Sequence, residues 1–184
     1  MKNYQEILIE CWYDQVDLEL IKQWAYTYIE NNDDIPEEVF ELLDADKYQF
    51  ESLLLKLSRV IDSDFSPQSI SAEILAAKHL MKIASKYLND EATPMDVCRV
   101  VGKIDGGFLG AARGLPDNVA YYPDWLGNLY NSCDWCDDTW TSSSAPHLKK
   151  DLETQIANIS KWVESHNNTL KGITAKKTAS IGRA

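Results

Sequence analysis

The sequence predicts an all-α protein: a single-domain, multi-helix bundle of about six to eight helices over residues 1–168, with a disordered basic C-terminal tail at 169–184. Three observations predict it. Apolar residues recur at spacings of three and four along nearly the whole chain. No stretch sustains period-two alternation with β-branched enrichment, and neither βαβ alternation nor a repeat of about 20–50 residues appears. The chain has 184 residues, 45% of them hydrophobic, a size at which a domain buries roughly 70% of its unfolded surface without needing a disulfide or a metal.

Ile7, Leu8, Cys11 and Trp12 make the first apolar stripe. Leu18, Ile21, Ala25, Tyr28 and Ile29 make the second, with Asp17 placed to cap it by accepting from the free N–H groups of its first turn. Asn31 to Asp34 break the chain. Pro36 then opens a short helix whose Glu37 and Glu38 suit its positive end. Phe50, Leu53, Leu54, Leu57, Val60 and Ile61 form the next face, and 63–67 is a link. Residues 69–88 show the clearest helical period: Ile70, Ile74, Ala77, Met81, Ala84 and Leu88 share one face, and Lys78, Lys82 and Lys86 form a stripe read as solvated. Thr93 before Pro94, with Asp96 three residues on, predicts a capped start for the helix of Val97, Val100 and Val101. The last strong helix is 146–166, carried by Leu148, Leu152, Ile156, Ile159 and Val163. Residues 171–184 lack periodicity and read as tail.

Charge is distributed unevenly. Residues 1–64 hold 16 Asp/Glu against 5 Lys/Arg, and residues 169–184 hold 4 Lys/Arg and no acid. The first 168 residues therefore carry a formal net of −15. A domain this acidic repels nucleic acid and anionic membrane and favours a basic partner. No run of about 18 apolar residues predicts a transmembrane helix. The N-terminus has acids inside its apolar stretch and no small-residue cleavage site, so no signal peptide is expected. Cys11, Cys98, Cys133 and Cys136 accordingly read as reduced thiols in a cytoplasm.

The segment 117–140 is the most unusual in composition. It sets Tyr121, Tyr122, Trp125, Tyr130, Trp135 and Trp140 among Asp117, Asp124, Asp134, Asp137 and Asp138. Aromatics supply stiff contact area at interface centres, and flanking carboxylates select a basic partner and speed its encounter. The plainer reading makes Trp125, Leu126, Leu129, Tyr130 and Cys133 the buried face of one more helix, which leaves Trp135 and Trp140 outside that face. Candidate partner-binding residues are Asp134, Trp135, Asp137, Asp138 and Trp140, with Tyr121 and Tyr122 beside them and the acidic loop Asn32, Asp33 and Asp34 second.

Other motifs carry less. On a helix, Cys133, Cys136 and Asp137 would share a face that His147 could approach, a possible zinc set, but the second close ligand pair of a structural zinc site is missing and Cys11 and Cys98 stand alone. A thioredoxin-like CxxC lacks its βαβ context. The run 105–114 has neither the preceding strand nor the GK[ST] ending of a phosphate loop; Gly106, Gly110 and Gly114 suggest a close helix approach or a turn. His79, His147 and His166 do not converge in sequence and read as surface or capping residues. No metalloprotease, nucleophile-elbow or EF-hand motif occurs, so no catalytic residue, metal or cofactor is expected.

The string Tyr87 to Arg99 (YLNDEATPMDVCR) ends one helix and caps the next. It resembles the Tyr-Leu-Asn-Gly-Glu joint with Ser/Thr-Pro capping found in small helical bacterial immunity, or antitoxin-like, proteins. The likeness covers about 13 of the 184 residues and departs at Asp90, where the joint has Gly; Asn89 is then the residue expected to take the left-handed helix end. The resemblance implies an antidote that binds a cognate toxin, and it carries over no site residue. With the charge, it points to a non-catalytic acidic protein that neutralises a basic toxin, such as a nuclease. The alternatives are a helical scaffold or adaptor that assembles through 146–166, and a small metal- or thiol-dependent enzyme using Cys133 and Cys136. Oligomeric state is not readable from the sequence.

Overall fold

The structure, a computed structural model, describes residues 1–108 and 121–181, with side chains up to Asn167. It is all-α: the described residues form eight α-helices and no strand. They run α1 (Tyr4–Tyr13), α2 (Leu18–Asn31), α3 (Glu37–Asp44), α4 (Phe50–Ile61), α5 (Ile70–Leu88), α6 (Pro94–Gly107), α7 (Leu129–Ser132) and α8 (Pro146–Ile181), with a 3₁₀ turn at Asp124–Leu126. The chain divides into two compact units, 1–76 and 77–184, and the boundary falls inside α5.

In the first unit, capping sets the helix starts. The Asn3 side chain accepts from the Glu6 N–H at 2.8 Å while the Glu6 carboxylate accepts from the Asn3 N–H, a reciprocal box that satisfies two free donors. Asp17 caps α2 as its sequence position predicts, accepting from the Glu19 N–H at 3.0 Å. Helix α1 packs on α4, and α3 on both α2 and α4, around Leu8, Ile9, Ile21, Val39, Leu42, Leu54, Leu57 and Phe65. Trp12 stacks on Phe65 with ring centroids 6.2 Å apart, and Tyr4, Trp24 and Tyr28 form a second aromatic cluster. Exposed Lys56 pairs with Glu38 across α4 and α3 at 2.6 Å.

In the second unit the core gathers Leu80, Tyr87, Val97, Val100, Val101, Ile104, Phe108, Trp125, Leu126, Leu148, Leu152 and Ile159. Thr93 and Asp96 form the expected capping box, with Pro94 at the first helical position. Helix α5 ends in a full Schellman motif: the Glu91 N–H donates to the Lys86 carbonyl at 2.8 Å and the Asp90 N–H to the Tyr87 carbonyl at 3.0 Å. The left-handed residue of that motif is Asp90 (φ 60°), and Asn89 keeps negative φ. Chain register decides this, because the residue one past the helix cap must turn left-handed whatever its side chain.

Two other expectations change. His79 is buried, not at the surface, because the inner face of α5 is wide and takes in Ala72, Glu73, Ala76, Leu80 and Ile83 as well as the predicted stripe. Gly106 meets no atom within 4 Å of the position a Cβ would take, so no close helix approach occurs there. Gly110 and Gly114 lie outside the described residues. The backbone of α8 runs as helix to Ile181. Among the described residues no helix is long and apolar enough to cross a membrane.

Candidate functional site

Most of the candidate residues fall in the connection from the 3₁₀ turn to α8, and a break in helical geometry explains why. Gly127 has φ 56° and ψ −134°, a region that in practice only glycine occupies. The chain therefore leaves the 3₁₀ turn without propagating helix, and α7 is four residues long. Trp125, Leu126 and Leu129 are buried, as the plainer reading expects, but Tyr130 is 49% exposed and Cys133 lies past the end of α7. Those five residues are thus not one buried helical face.

From Cys133 the chain turns instead of coiling. The Cys136 N–H donates to the Cys133 carbonyl at 3.1 Å and the Asp134 N–H to the Asn131 carbonyl at 3.2 Å. Trp135, inside this turn, is left-handed with φ 65°. Its side chain is 86% exposed, the highest value among the large hydrophobic residues described. A bulky aromatic in left-handed backbone is a steric outlier, and such exposure leaves its ring little burial. Asp134, Asp137 and Asp138 are exposed around it.

The loop is pinned from within and from α8. Thr139 donates to Asp137 Oδ1 through both its backbone N–H, at 2.8 Å, and its hydroxyl, at 2.5 Å. These two bonds hold the Asp137 carboxyl below the ordinary range, so it stays charged. Thr141 and Ser144 exchange bonds through backbone and side chain. The His147 Nε2–H donates to the Ser132 carbonyl at 3.1 Å, and the Ser132 hydroxyl donates to Asp151 Oδ2 at 2.7 Å. Trp140 is half-buried, its ring edge-on to His147 at 5.3 Å. The Tyr121 N–H donates to the Phe108 carbonyl, and the Tyr122 hydroxyl donates to the Gly127 carbonyl, so both tyrosines also hold the loop's base. Asp33 and Asp34 are exposed on the α2–α3 loop of the first unit. Asp117 lies outside the described residues.

Cys98 and Cys133 are joined by a disulfide, with Cα atoms 5.1 Å apart. This overturns the reading of all four cysteines as reduced thiols and of Cys98 as isolated. Packing of α6 against α7 brings together two residues 35 apart in sequence. It also removes the zinc alternative: Cys133 has no thiolate to give, Cys136 sits in a turn and not on a shared helix face, and His147 is bonded to Ser132. Among the described residues no group of three or more His, Cys, Asp or Glu side chains is placed to hold a metal ion. Cys11 and Cys136 remain thiols. Burial, then Asp137 and Asp138, push the Cys136 thiol above its ordinary value.

Sequence reasoning missed two contributors. Tyr130 is exposed, and only the Gly127 break hints that helical phase cannot be carried through it. Cys98 lies far away in sequence, and nothing in its spacing announces the pairing. Beside the loop, Gly127, Asn128, Leu129, Asp151, Thr154 and Gln155 line a shallow groove of about 260 Å³. That is small and polar for a substrate pocket. No family model matches the chain, and no curated protein or solved structure matches it.

Proposed function

We propose that this chain is a non-catalytic acidic binding protein, of the bacterial immunity type, that neutralises a basic toxin by presenting the loop 134–140 to it. One observation carries the reading: Trp135 stands 86% exposed in left-handed backbone, among three exposed aspartates. Its exposure suits a polar residue and its backbone suits Gly or Asn, so Trp135 satisfies neither local preference. Such outliers persist where function needs them, and tryptophan is the residue most enriched at interface hot spots. The pinned loop lowers the ordering cost of binding, and Asp134, Asp137 and Asp138 supply the steering field for a cationic surface. The toxin as partner rests on the net charge and on the likeness over 87–99. In a cytoplasm, where this reading places the protein, Cys98–Cys133 would be a redox-sensitive bond and not a permanent one.

The test is capture from the source organism's lysate on the immobilised full chain, at low and high salt, followed by calorimetry with the purified partner. A single basic protein should be retained at low salt. Trp135→Ala should weaken its binding by about 2 kcal/mol or more. Asp137→Lys/Asp138→Lys should slow association and flatten its salt dependence. Equal affinity in wild type and both variants would remove this loop from the function.

A further inference from the structure

Three of the four cysteines meet at one place, although the sequence shows only two of them as neighbours. Cys98, on α6, is buried; Cys133 and Cys136, at the two ends of the turn that carries Trp135, are half-buried. The turn is closed by the 3.1 Å bond from the Cys136 N–H to the Cys133 carbonyl. Turns closed in this way hold their end Cα atoms within about 7 Å, a span that overlaps the roughly 4.4–6.8 Å a disulfide bridges. Cys133 is therefore bonded to one cysteine and held one closed turn from another.

We propose that Cys98, Cys133 and Cys136 form a thiol–disulfide exchange site, in which Cys136 takes Cys133 from Cys98 and closes a ring around Asp134 and Trp135. The step balances without an external oxidant or reductant. Cys136 gives its proton to solvent, and its thiolate attacks Cys133 Sγ in line with the existing bond. The Cys133–Cys136 bond forms, the Cys98–Cys133 bond breaks, and the electron pair leaves on Cys98 Sγ, which takes up a proton. Attack falls on Cys133, which is less buried than Cys98 and shares the turn with Cys136. The product ties the loop to itself and frees α6 from α7.

The acidic loop acts as the brake. Only the thiolate attacks, and Asp137 and Asp138 stand beside Cys136 and oppose its ionisation, as does its partial burial. Other titratable or charged side chains at the site include Asp134 inside the turn, Asp151, which accepts from Ser132, His147, which donates to the Ser132 carbonyl, and Asp96 with Arg99, which flank Cys98 on α6. A cationic partner seated on Asp137 and Asp138 would release the brake, a consequence that rests on the binding role proposed above; the exchange itself does not.

The experiment needs no partner. The full chain, free of reductant, is held at pH 7 and pH 9 with its helical circular dichroism monitored. Samples are acid-quenched, alkylated in denaturant and digested with trypsin. The starting linkage joins peptide 87–99 to peptide 114–149, with Cys136 alkylated. The exchanged form yields 87–99 alkylated at Cys98 and 114–149 with an internal disulfide. We expect the exchanged form to reach its equilibrium level about tenfold faster per pH unit, following the thiolate fraction, and to be absent in Cys136→Ser. Asp137→Asn/Asp138→Asn should speed it several-fold at pH 7. Separately, Cys98→Ser in a glutathione redox buffer should form the 133–136 disulfide. The proposal falls if that variant leaves 133 and 136 as thiols, or if the wild type keeps its starting linkage at pH 9 as completely as Cys136→Ser. Cys11, whose thiol burial and Glu51 and Glu10 push up to about 12, serves as the internal control.

Discussion

Reducing the Cys98–Cys133 bond should cost the second unit a large part of its stability, and the loop it closes sets the amount. The two cysteines are 35 residues apart. A cross-link of that length removes conformational entropy from the unfolded chain worth about 3.8 kcal/mol at 25 °C, between about 3 for a 15-residue loop and about 4.7 for 100 residues. Reduction leaves Cys98 as a small buried apolar group, so little packing is lost on top. The assay is urea unfolding of the full chain at pH 6, where Cys136 is protonated and exchange is slow, with and without reductant. The wild type should lose about 3–4 kcal/mol on reduction, a fall in melting temperature of roughly 6–16 °C. Cys98→Ala/Cys133→Ala should match the reduced wild type, apart from a modest cavity term, and ignore reductant altogether. Hydrogen exchange should place the lost protection in α6 and around 129–136, the segments the bond joins. A wild-type difference below about 1 kcal/mol, or alkylation of Cys98 and Cys133 before any reductant is added, would refute the reasoning.

Three further outcomes follow from the backbone and the caps. Asp90→Gly should stabilise the protein by about 0.5–1 kcal/mol in denaturant melts. It relieves a left-handed residue and removes a carboxylate from the negative end of α5, offset by the greater entropy of unfolded glycine. Gly127→Ala should destabilise by about 1–3 kcal/mol, since φ 56° with ψ −134° excludes a Cβ and the added atom would meet the Gln155 side chain at 2.6 Å. Burial alone would raise the Asp96 carboxyl, but bonds from the Thr93 backbone and side chain and from Arg99 outweigh it and hold it below the ordinary range. The stability it contributes is therefore present above the unfolded carboxylate value and lost as pH falls through the lower folded one. Thermal melts of wild type and Asp96→Asn should differ near neutral pH and converge in acid; a constant gap at every pH would count against the cap.

The helices were legible because burial in a bundle imposes a period, and the residues that stop or start a helix act within one turn. Asp17 and the Thr93–Asp96 box could be placed from spacing alone, since each cap is bonded to a backbone group two or three residues away. His79 could not. A stripe of apolar residues marks the centre of a buried face, whereas its width depends on how much of α5 is covered, and that is a property of the neighbouring elements. The same limit hid the left-handed residue after α5. The motif is local, but a one-residue difference in where the helix stops decides whether Asn89 or Asp90 turns.

The segment 117–140 was legible in composition and, from Gly127 on, illegible in geometry, and the two failures there share a cause. Acid and tryptophan in one short segment suggest contact chemistry, but helical phase is the only tool that assigns exposure from sequence, and Gly127 cancels it by breaking the helix before residue 129. Past that break, Tyr130 turns outward, and Cys133, Cys136 and Asp137 cease to share a face. The zinc reading failed for that reason as much as for the disulfide. What replaces helical phase is a set of short-range bonds, from Thr139 to Asp137 and from His147 to Ser132, together with one long-range bond from Cys133 to Cys98. Trp135 gains its exposure from that set. Its side chain contributes little to the fold that holds it, so its replacement by Asn should be neutral or stabilising. A loss of more than about 1 kcal/mol on Trp135→Asn would show that the ring is packed and would remove the anchor from the proposed surface.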